Sequence, residues 1–296
     1  MIDAQSNVVR TLPCPGCETI AALDGSAVAL TQLEVDSNNP ATGLFTSKIV
    51  RIDLSSTASP TILNTGLPDT YIAVRLVGEA EGSALAANGD LTEVSFRGGP
   101  ERMYIVSASK PSAEFGTSEG NTAVEQITGT TVGSVRLAVL SGAYAFACTT
   151  ASIVTLYDPQ TRLVTHTSTA AIIPDSDLPT NGRGPGEHGM AMRDLWWDSS
   201  GTLHAMVQAW TCTSPNDDYS NQLVQQSQWK LNSDNRWEQE DQENLLSIRR
   251  LSDRQRAIVT LAPSKPAERY GTLFLETSGR RKNLADKVYA IATPAV

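Results

Sequence analysis

Val135-Arg136-Leu137-Ala138-Val139-Leu140, Ala143-Tyr144-Ala145-Phe146-Ala147-Cys148, Ile153-Val154-Thr155-Leu156-Tyr157 and Leu163-Val164-Thr165-His166-Thr167 follow one another between Ser134 and Ser168. Each run is five or six residues long and rich in β-branched and aromatic side chains. That is too short for a packed helix and the usual length of a strand. Ser141-Gly142 and Asp158-Pro159 mark turns between them. Four strands joined by short turns make a four-stranded meander, the blade motif of a β-propeller.

Outward from this segment the same grammar continues. β-rich runs stand at Ala27–Thr31, Lys48–Asp53, Met103–Val106, Leu203–Val207, Thr272–Thr277 and Lys287–Ala292, with Gly turns at Asp24-Gly25, Asn88-Gly89 and Ser200-Gly201. Helical periodicity is scarce. One strand type recurs, anchored at Ile49, Met103, Ile153, Trp229 and Val288, at intervals of about 50 to 76 residues. Blade repeats run to roughly 40–50 residues, so these are blades with long loops. The widest interval holds the Pro/Gly/Asp-rich stretch from Pro174 to Gly189, which reads as an insertion. The expectation is one all-β domain over residues 1–296, a propeller of about five four-stranded blades, with six possible. A two-sheet sandwich is the alternative. The last anchor leaves little chain for an outer strand, so Asn7–Leu12 is expected to supply it and close the ring, hiding exposed sheet edges.

Composition sets the outer limits. The 296 residues are 40% hydrophobic and 19% charged, enough for a large core. No apolar run approaches the roughly 20 residues of a membrane helix, so no membrane span is expected. A net charge of -9 argues against a nucleic-acid partner, which wants a basic face. The start, Met1-Ile2-Asp3-Ala4-Gln5-Ser6, lacks the basic and apolar regions of a signal peptide; a cytoplasmic protein, or a secreted one shorn of its signal, both fit. Cys14-Pro15-Gly16-Cys17 fits a redox pair, half a zinc site or a local disulfide. No second ligand pair follows for zinc, which needs about four. Cys148 and Cys212 read as buried thiols.

Three stretches resemble the SMP-30/gluconolactonase-like propellers, nearest the fungal branch: Glu18–Gly25, Arg193–Leu203 with its Asp-x-x-Gly turn, and Gly271–Gly279 followed by Lys287–Ile291. The resemblance implies a usual count of six blades, and the missing one would fall between Leu67 and Thr130. It also implies a ligand site in the central channel, lined by starts of inner strands. Glu18, Tyr71, Gly133, Arg193, Asp194, Ser247 and Arg249 are the candidates on that geometry.

Metal-dependent lactonases of that family hold a divalent cation with a Glu/Asn/Asn/Asp set. Glu18 and Asp194 match the acidic positions, but Gly133-Ser134 stands where an Asn is expected and no second Asn is found. Two carboxylates without neutral oxygens make a poor cage, so neither a metal nor another cofactor is expected. Some fungal relatives are metal-free cyclases of natural-product pathways, including hetero-Diels–Alderases. On that pattern Arg193 or Arg249 would polarise a carbonyl, and Asp194 would orient or deprotonate. Trp196 and Trp197 would pack the substrate, with Glu18, Tyr71 and Ser247 completing its site.

His188, in a Gly-rich stretch before an inner strand, is the acid–base candidate by pKa, whereas His204 and His166 read as strand residues. No Gly-x-Ser-x-Gly elbow appears. The expectation is a metal-independent enzyme taking a small, largely apolar metabolite, a cyclase of a natural-product pathway. The alternatives are a metal-assisted lactonase and a non-catalytic propeller that binds a protein or glycan.

Overall fold

The computed structural model describes residues 17–23, 27–35, 45–56, 58–63, 74–80, 82–88, 101–108, 112–118, 122–143, 152–158, 163–168, 188–212, 221–241, 245–252, 254–261, 270–289 and 291–292. Among them there are twenty strands and no helix, and the fold is all-β. The strands fall into five consecutive groups of four, and the fold is a β-propeller built from such meanders. The chain divides into two compact units, Met1–Ile127 with Ala290–Val296, and Thr128–Tyr289.

The first unit carries two antiparallel meanders. One is β1 (Cys17–Leu23), β2 (Ala27–Val35), β3 (Phe45–Asp53) and β4 (Thr61–Ile62); the other is β5 (Val74–Ala80), β6 (Ser83–Asn88), β7 (Arg102–Val106) and β8 (Ala113–Thr117). Their shared core is mostly aliphatic, from Ala21, Leu23, Ala27 and Ile49 to Leu76, Ala84, Ala86 and Val106, with Tyr104 its one aromatic. β9 (Thr122–Thr130) starts in this unit and ends in the next. Its Ile127 lies so near Gly78 of β5 that a Cβ on Gly78 would overlap the Ile127 carbonyl.

The second unit holds β10 (Arg136–Ala143), β11 (Ser152–Asp158) and β12 (Leu163–Ser168). Two complete meanders follow, β13 (His188–Trp197) to β14 (Leu203–Cys212), β15 (Asn221–Leu231) and β16 (Trp237–Asp241), then β17 (Leu245–Ser252), β18 (Gln255–Thr260), β19 (Gly271–Thr277) and β20 (Arg280–Val288). Leu140, Val154, Met192, Leu195, Trp197, Leu203, Val207 and Trp229 form one core cluster here. Met206, Leu245, Ile248 and Ile258 form a second.

The third meander differs from its sequence reading. β10 runs through Ser141-Gly142 and pairs directly with β11, Gly142 facing Ser152. The run Ala143–Cys148 therefore does not lie between them in the sheet, and residues 144–151 fall outside the described set. A Gly in a strand interior mimics a turn signal when its neighbours already satisfy the ladder. The strand expected at Asn7–Leu12 also lies outside the described residues, and the fifth meander draws all four strands from its own stretch, with β20 outermost.

Neighbouring meanders are joined by a repeated device, a side chain of one capping a backbone N–H on the innermost strand of another. Within the first unit Ala22 donates to Glu79 Oε2 at 2.7 Å and Val124 to Glu101 Oε2 at 2.7 Å. Within the second, Met192 donates to Ser152 Oγ at 3.0 Å and Ile248 to Asp194 Oδ2 at 2.8 Å. β1, β13 and β17 end their sheets with a free ladder side, whereas β9 is hydrogen-bonded to β5; a buried N–H left unpaired would cost about 1–3 kcal/mol. Polar side chains satisfy these four donors in place of a ladder partner.

Candidate functional site

Arg193 and Asp194 sit on β13, where the register with β14 shifts between Met192 and Asp194, leaving Arg193 as a bulge residue. Such shifts also occur on β1, β5 and β17 and between outer strands such as β11–β12, β15–β16 and β19–β20, so a shift alone does not single out β13. What is particular to β13 is the side chain the bulge carries. Arg193 is exposed, and its Nε donates to Gln208 Oε1 at 2.6 Å. Gln208 Nε2 donates in turn to Gln226 Oε1 at 3.3 Å, and Gln226 Nε2 to the Leu245 carbonyl. Both glutamines are buried, at 4% and 5% exposure. A buried amide relay thus runs from β17 through β15 and β14 to the guanidinium. It fixes Arg193 through Nε, and among the described residues the two Nη groups have no partner.

Asp194 points the other way, into the protein. It accepts the Ile248 N–H and lies 3.4 Å from Arg249 Nη1, with 4% of its side chain exposed. Arg249 Nη1 also donates to the Ile248 carbonyl at 2.6 Å and to Ser247 Oγ at 3.4 Å. The structure therefore brings Asp194, Ser247 and Arg249 together as one cluster, with Arg193 beside it on the chain but tied to Gln208. The carboxylate of Asp194 is engaged by these donors, which leaves it poorly disposed as a cation ligand.

The remaining candidates disperse. Trp197 is 8% exposed, donates from Nε1 to the Thr128 carbonyl at 3.2 Å, and has Arg136 over its ring at 5.0 Å. Its place is in the core. Trp196 packs against the cluster of Met206 and Ile248, and its ring stacks on His204 at 5.5 Å and 12°. His188 is not a loop residue: it opens β13, paired with Thr211. Gly133 belongs to the exposed turn between β9 and β10, at φ 78°, not to the start of an inner strand. Glu18 lies on β1, its side chain outside the description, as is all of Tyr71. His166 pairs with Leu156 on the outer strand β12, as expected. Cys17 is disulfide-bonded, which removes it as a thiolate ligand for zinc.

A second locality, which the sequence reading passed over, is a cleft of about 580 Å³ in the second unit. It lies where the β13–β14, β17–β18 and β19–β20 turns come together, lined by Trp196, Asp198, His204, Glu240, Arg254 and Glu276 among others. The Asp198-Ser199-Ser200-Gly201 turn builds one edge. Asp198 Oδ1 accepts the N–H groups of Ser200 (2.8 Å) and Thr202 (2.9 Å) and the Ser200 hydroxyl (2.7 Å), while Gly201 takes φ 79°. That is an Asx turn with glycine at its left-handed position.

Burial pushes the Asp198 carboxyl up. The hydrogen bonds from Ser200, Thr202 and His204 outweigh it and bring its pKa down from 3.8 to about 2. His204 lies between two carboxylates, Nδ1 2.8 Å from Glu240 Oε2 and Nε2 3.2 Å from Asp198 Oδ2. Each ring nitrogen thus faces a carboxylate oxygen. On the other wall Glu276 accepts from Arg256 Nε at 2.5 Å and Arg281 Nε at 2.8 Å. Burial raises its pKa, but these two guanidinium groups overcome that and hold it below the ordinary value. Among the described residues no group of three His, Cys, Asp or Glu is placed to hold a metal ion.

No family model and no curated protein matches the chain. Among solved structures, it is similar to a mannose phosphorylase from Leishmania mexicana, at 10% identity and TM-score 0.43, over 95% of this chain and 91% of that one. An ulvan lyase of the polysaccharide lyase family PL25 gives 9% identity and TM-score 0.48, over 90% and 68%. A GH74 xyloglucanase from Xanthomonas campestris gives 10% identity and TM-score 0.44, over 90% and 45%. The activities named are those proteins' own.

Proposed function

We propose that this propeller is an enzyme that binds a small carbonyl-bearing metabolite against Arg193 and activates it without a metal, in the manner of the SMP-30-like cyclases whose motifs it resembles. The observation supporting this is the Gln226–Gln208–Arg193 relay, two buried amides spent on orienting one exposed guanidinium. Buried polar groups are costly unless fully paired, and a relay that ends on an exposed side chain does little for the core. It does pre-organise two N–H donors where a carbonyl oxygen can meet them, and fixed donors stabilise developing charge without reorganisation.

For a cyclisation of the cycloaddition kind the demand is small. Hydrogen bonds from the Arg193 Nη groups draw density from an enone, and two π bonds become two σ bonds with no net proton or electron from the protein. Asp194, Ser247 and Arg249 then hold the floor beneath Arg193 as positioning residues, and His188 and Trp196 are carried as the remaining partners of the substrate. The metal-assisted lactonase fares worse, because Asp194 is taken up by Ile248 and Arg249.

The test is ligand-observed NMR on the full chain with a panel of neutral enones, lactones and matched saturated alcohols, repeated on Arg193→Gln and with added calcium. Binding of enones or lactones over alcohols, lost in Arg193→Gln, is expected. Equal binding by the variant, or lactone hydrolysis that needs calcium, would overturn the proposal.

A further inference from the structure

Three arginines on the first strands of meanders are tethered by side chains: Arg75 on β5, Arg193 on β13 and Arg249 on β17. Two of the tethers are carboxylates. Arg75 Nη2 lies 2.6 Å from Glu101 Oε2, and Arg249 Nη1 lies 3.4 Å from Asp194 Oδ1. Both carboxylates are buried, with 3% and 4% of their side chains exposed. Each also accepts a backbone N–H, Glu101 that of Val124 and Asp194 that of Ile248. These two arginines serve the strands, and their charge is matched where they stand.

Arg193 is held differently. Its tether, Gln208 Oε1 at 2.6 Å, belongs to a neutral amide, and among the described residues no carboxylate pairs with its guanidinium. The relay behind it runs in one sense. Gln226 Nε2 donates to the Leu245 carbonyl and Gln208 Nε2 to Gln226 Oε1, which turns Gln208 Oε1 toward Arg193. A guanidinium is a rigid planar fork, so a bond at Nε sets the plane in which both Nη groups lie. A fixed plane matters little to a lone carbonyl oxygen, which accepts over a broad range of directions. It matters to a planar partner with two oxygens, which meets two N–H donors at once. Such a partner is a monoanion here, because the buried carboxylate of Asp194 is next in the chain and would repel a second negative charge.

We infer that the ligand of Arg193 carries a carboxylate, bound end-on by the two Nη groups, so that the metabolite is an unsaturated acid and not a neutral enone. This rests on the reading that Arg193 meets the substrate, and it adds which group is met. The unmatched charge selects an anion, and the held plane selects a flat two-oxygen one. The rest of the molecule is left free to be apolar.

Ligand-observed NMR on the full chain at low salt, with cinnamate, methyl cinnamate, benzylideneacetone (the matching enone) and inorganic phosphate, tests it. Cinnamate should bind about tenfold or more tightly than the ester or the enone, and phosphate should not displace it. Arg193→Gln should abolish that preference. Arg193→Lys keeps the charge and removes the fork, and should weaken cinnamate binding by about threefold or more. The inference is overturned, with the Arg193 reading intact, if the enone binds as tightly as cinnamate and both are lost in Arg193→Gln. It is overturned likewise if Arg193→Lys binds cinnamate as the parent protein does, or if phosphate displaces cinnamate. If no organic probe binds, or if Arg193→Gln binds them all like the parent, the inference and the Arg193 reading fall together.

Discussion

Asp194 Oδ2 accepts the backbone N–H of Ile248 at 2.8 Å, across 54 residues of chain, and so joins the innermost strand of one meander to that of the next. With 4% of its side chain exposed and Arg249 at 3.4 Å, its loss strands a buried donor and a half-buried cation. Asp194→Ala is expected to cost about 3 kcal/mol. Arg249→Gln, whose side chain is 25% exposed, should cost only about 1 kcal/mol. Urea denaturation measures both. Equal costs would mean that the ion pair, rather than the capped N–H, carries the stabilisation.

The Gln226–Gln208–Arg193 relay makes the opposite prediction for its two ends. Arg193 is exposed, so Arg193→Gln should change stability by less than about 0.5 kcal/mol. Gln226 is 5% exposed and stands between Gln208 and the Leu245 carbonyl. Gln226→Leu removes the acceptor of Gln208 Nε2 and a donor to the Leu245 carbonyl, and should cost about 2 kcal/mol. It should also loosen the Arg193 side chain, which Nε resonances in guanidinium NMR would report as faster exchange.

How much of this was legible follows from where the signal lives. The repeat anchors Ile49, Met103, Ile153 and Trp229 all fall on the third strand of a meander, β3, β7, β11 and β15. Those strands show because apolar residues recur along them and turn residues bound them. The fifth anchor, Val288, slid to the end of β20. β20 is largely charged and exposed, so it carries no apolar pattern, and β19 was the true counterpart. β9 was missed altogether: Thr122–Thr130 alternates too weakly, with Gly129 inside it.

At the site, Arg193 and Asp194 were visible as charges in an apolar run, but their partners were not. Gln208 and Gln226 are polar residues within strands, and a single sequence does not say whether such an amide faces water or another amide. The cleft is assembled from three turns far apart in sequence. Only pairing brings them together.

Cys17 bears on the Cys-Pro-Gly-Cys motif. It is disulfide-bonded, so alkylation of the unfolded, unreduced protein should leave Cys17 unmodified, and prior reduction should expose it to the reagent. Peptide mass mapping reads the result. Labelling without reduction would reopen the thiolate readings of that motif.

The Asp198 turn predicts a pH dependence. Its folded pKa of about 2 lies below the ordinary 3.8. The contribution is therefore fully present above about pH 4 and is lost as pH falls through about 2. With the side chain 36% exposed, solvent screening limits this to no more than about 1 kcal/mol. Urea midpoints for the parent protein and Asp198→Asn should differ at pH 5 and converge near pH 2. A constant difference would assign the effect to turn geometry instead of charge.

Gly78 gives the sharpest test of the inner-strand packing in the first unit. It lies beside the register shift of β5, and any Cβ there would collide with the backbone carbonyl of Ile127 on β9. Backbone cannot swing aside as a side-chain tip can, so the strands must separate. Val77 and Leu76, at 8% and 5% exposure, and Val124 and Ile127, at 0% and 1%, would lose contacts with them. Gly78→Ala should cost about 3 kcal/mol or more, the scale of overpacking in a rigid core. Gly279→Ala meets nothing within 4 Å, and its φ of 79° is its only penalty; it should cost about 1 kcal/mol. Expression yield and urea midpoints compare the two. If Gly78→Ala proves the milder change, β5 and β9 are not packed at backbone contact.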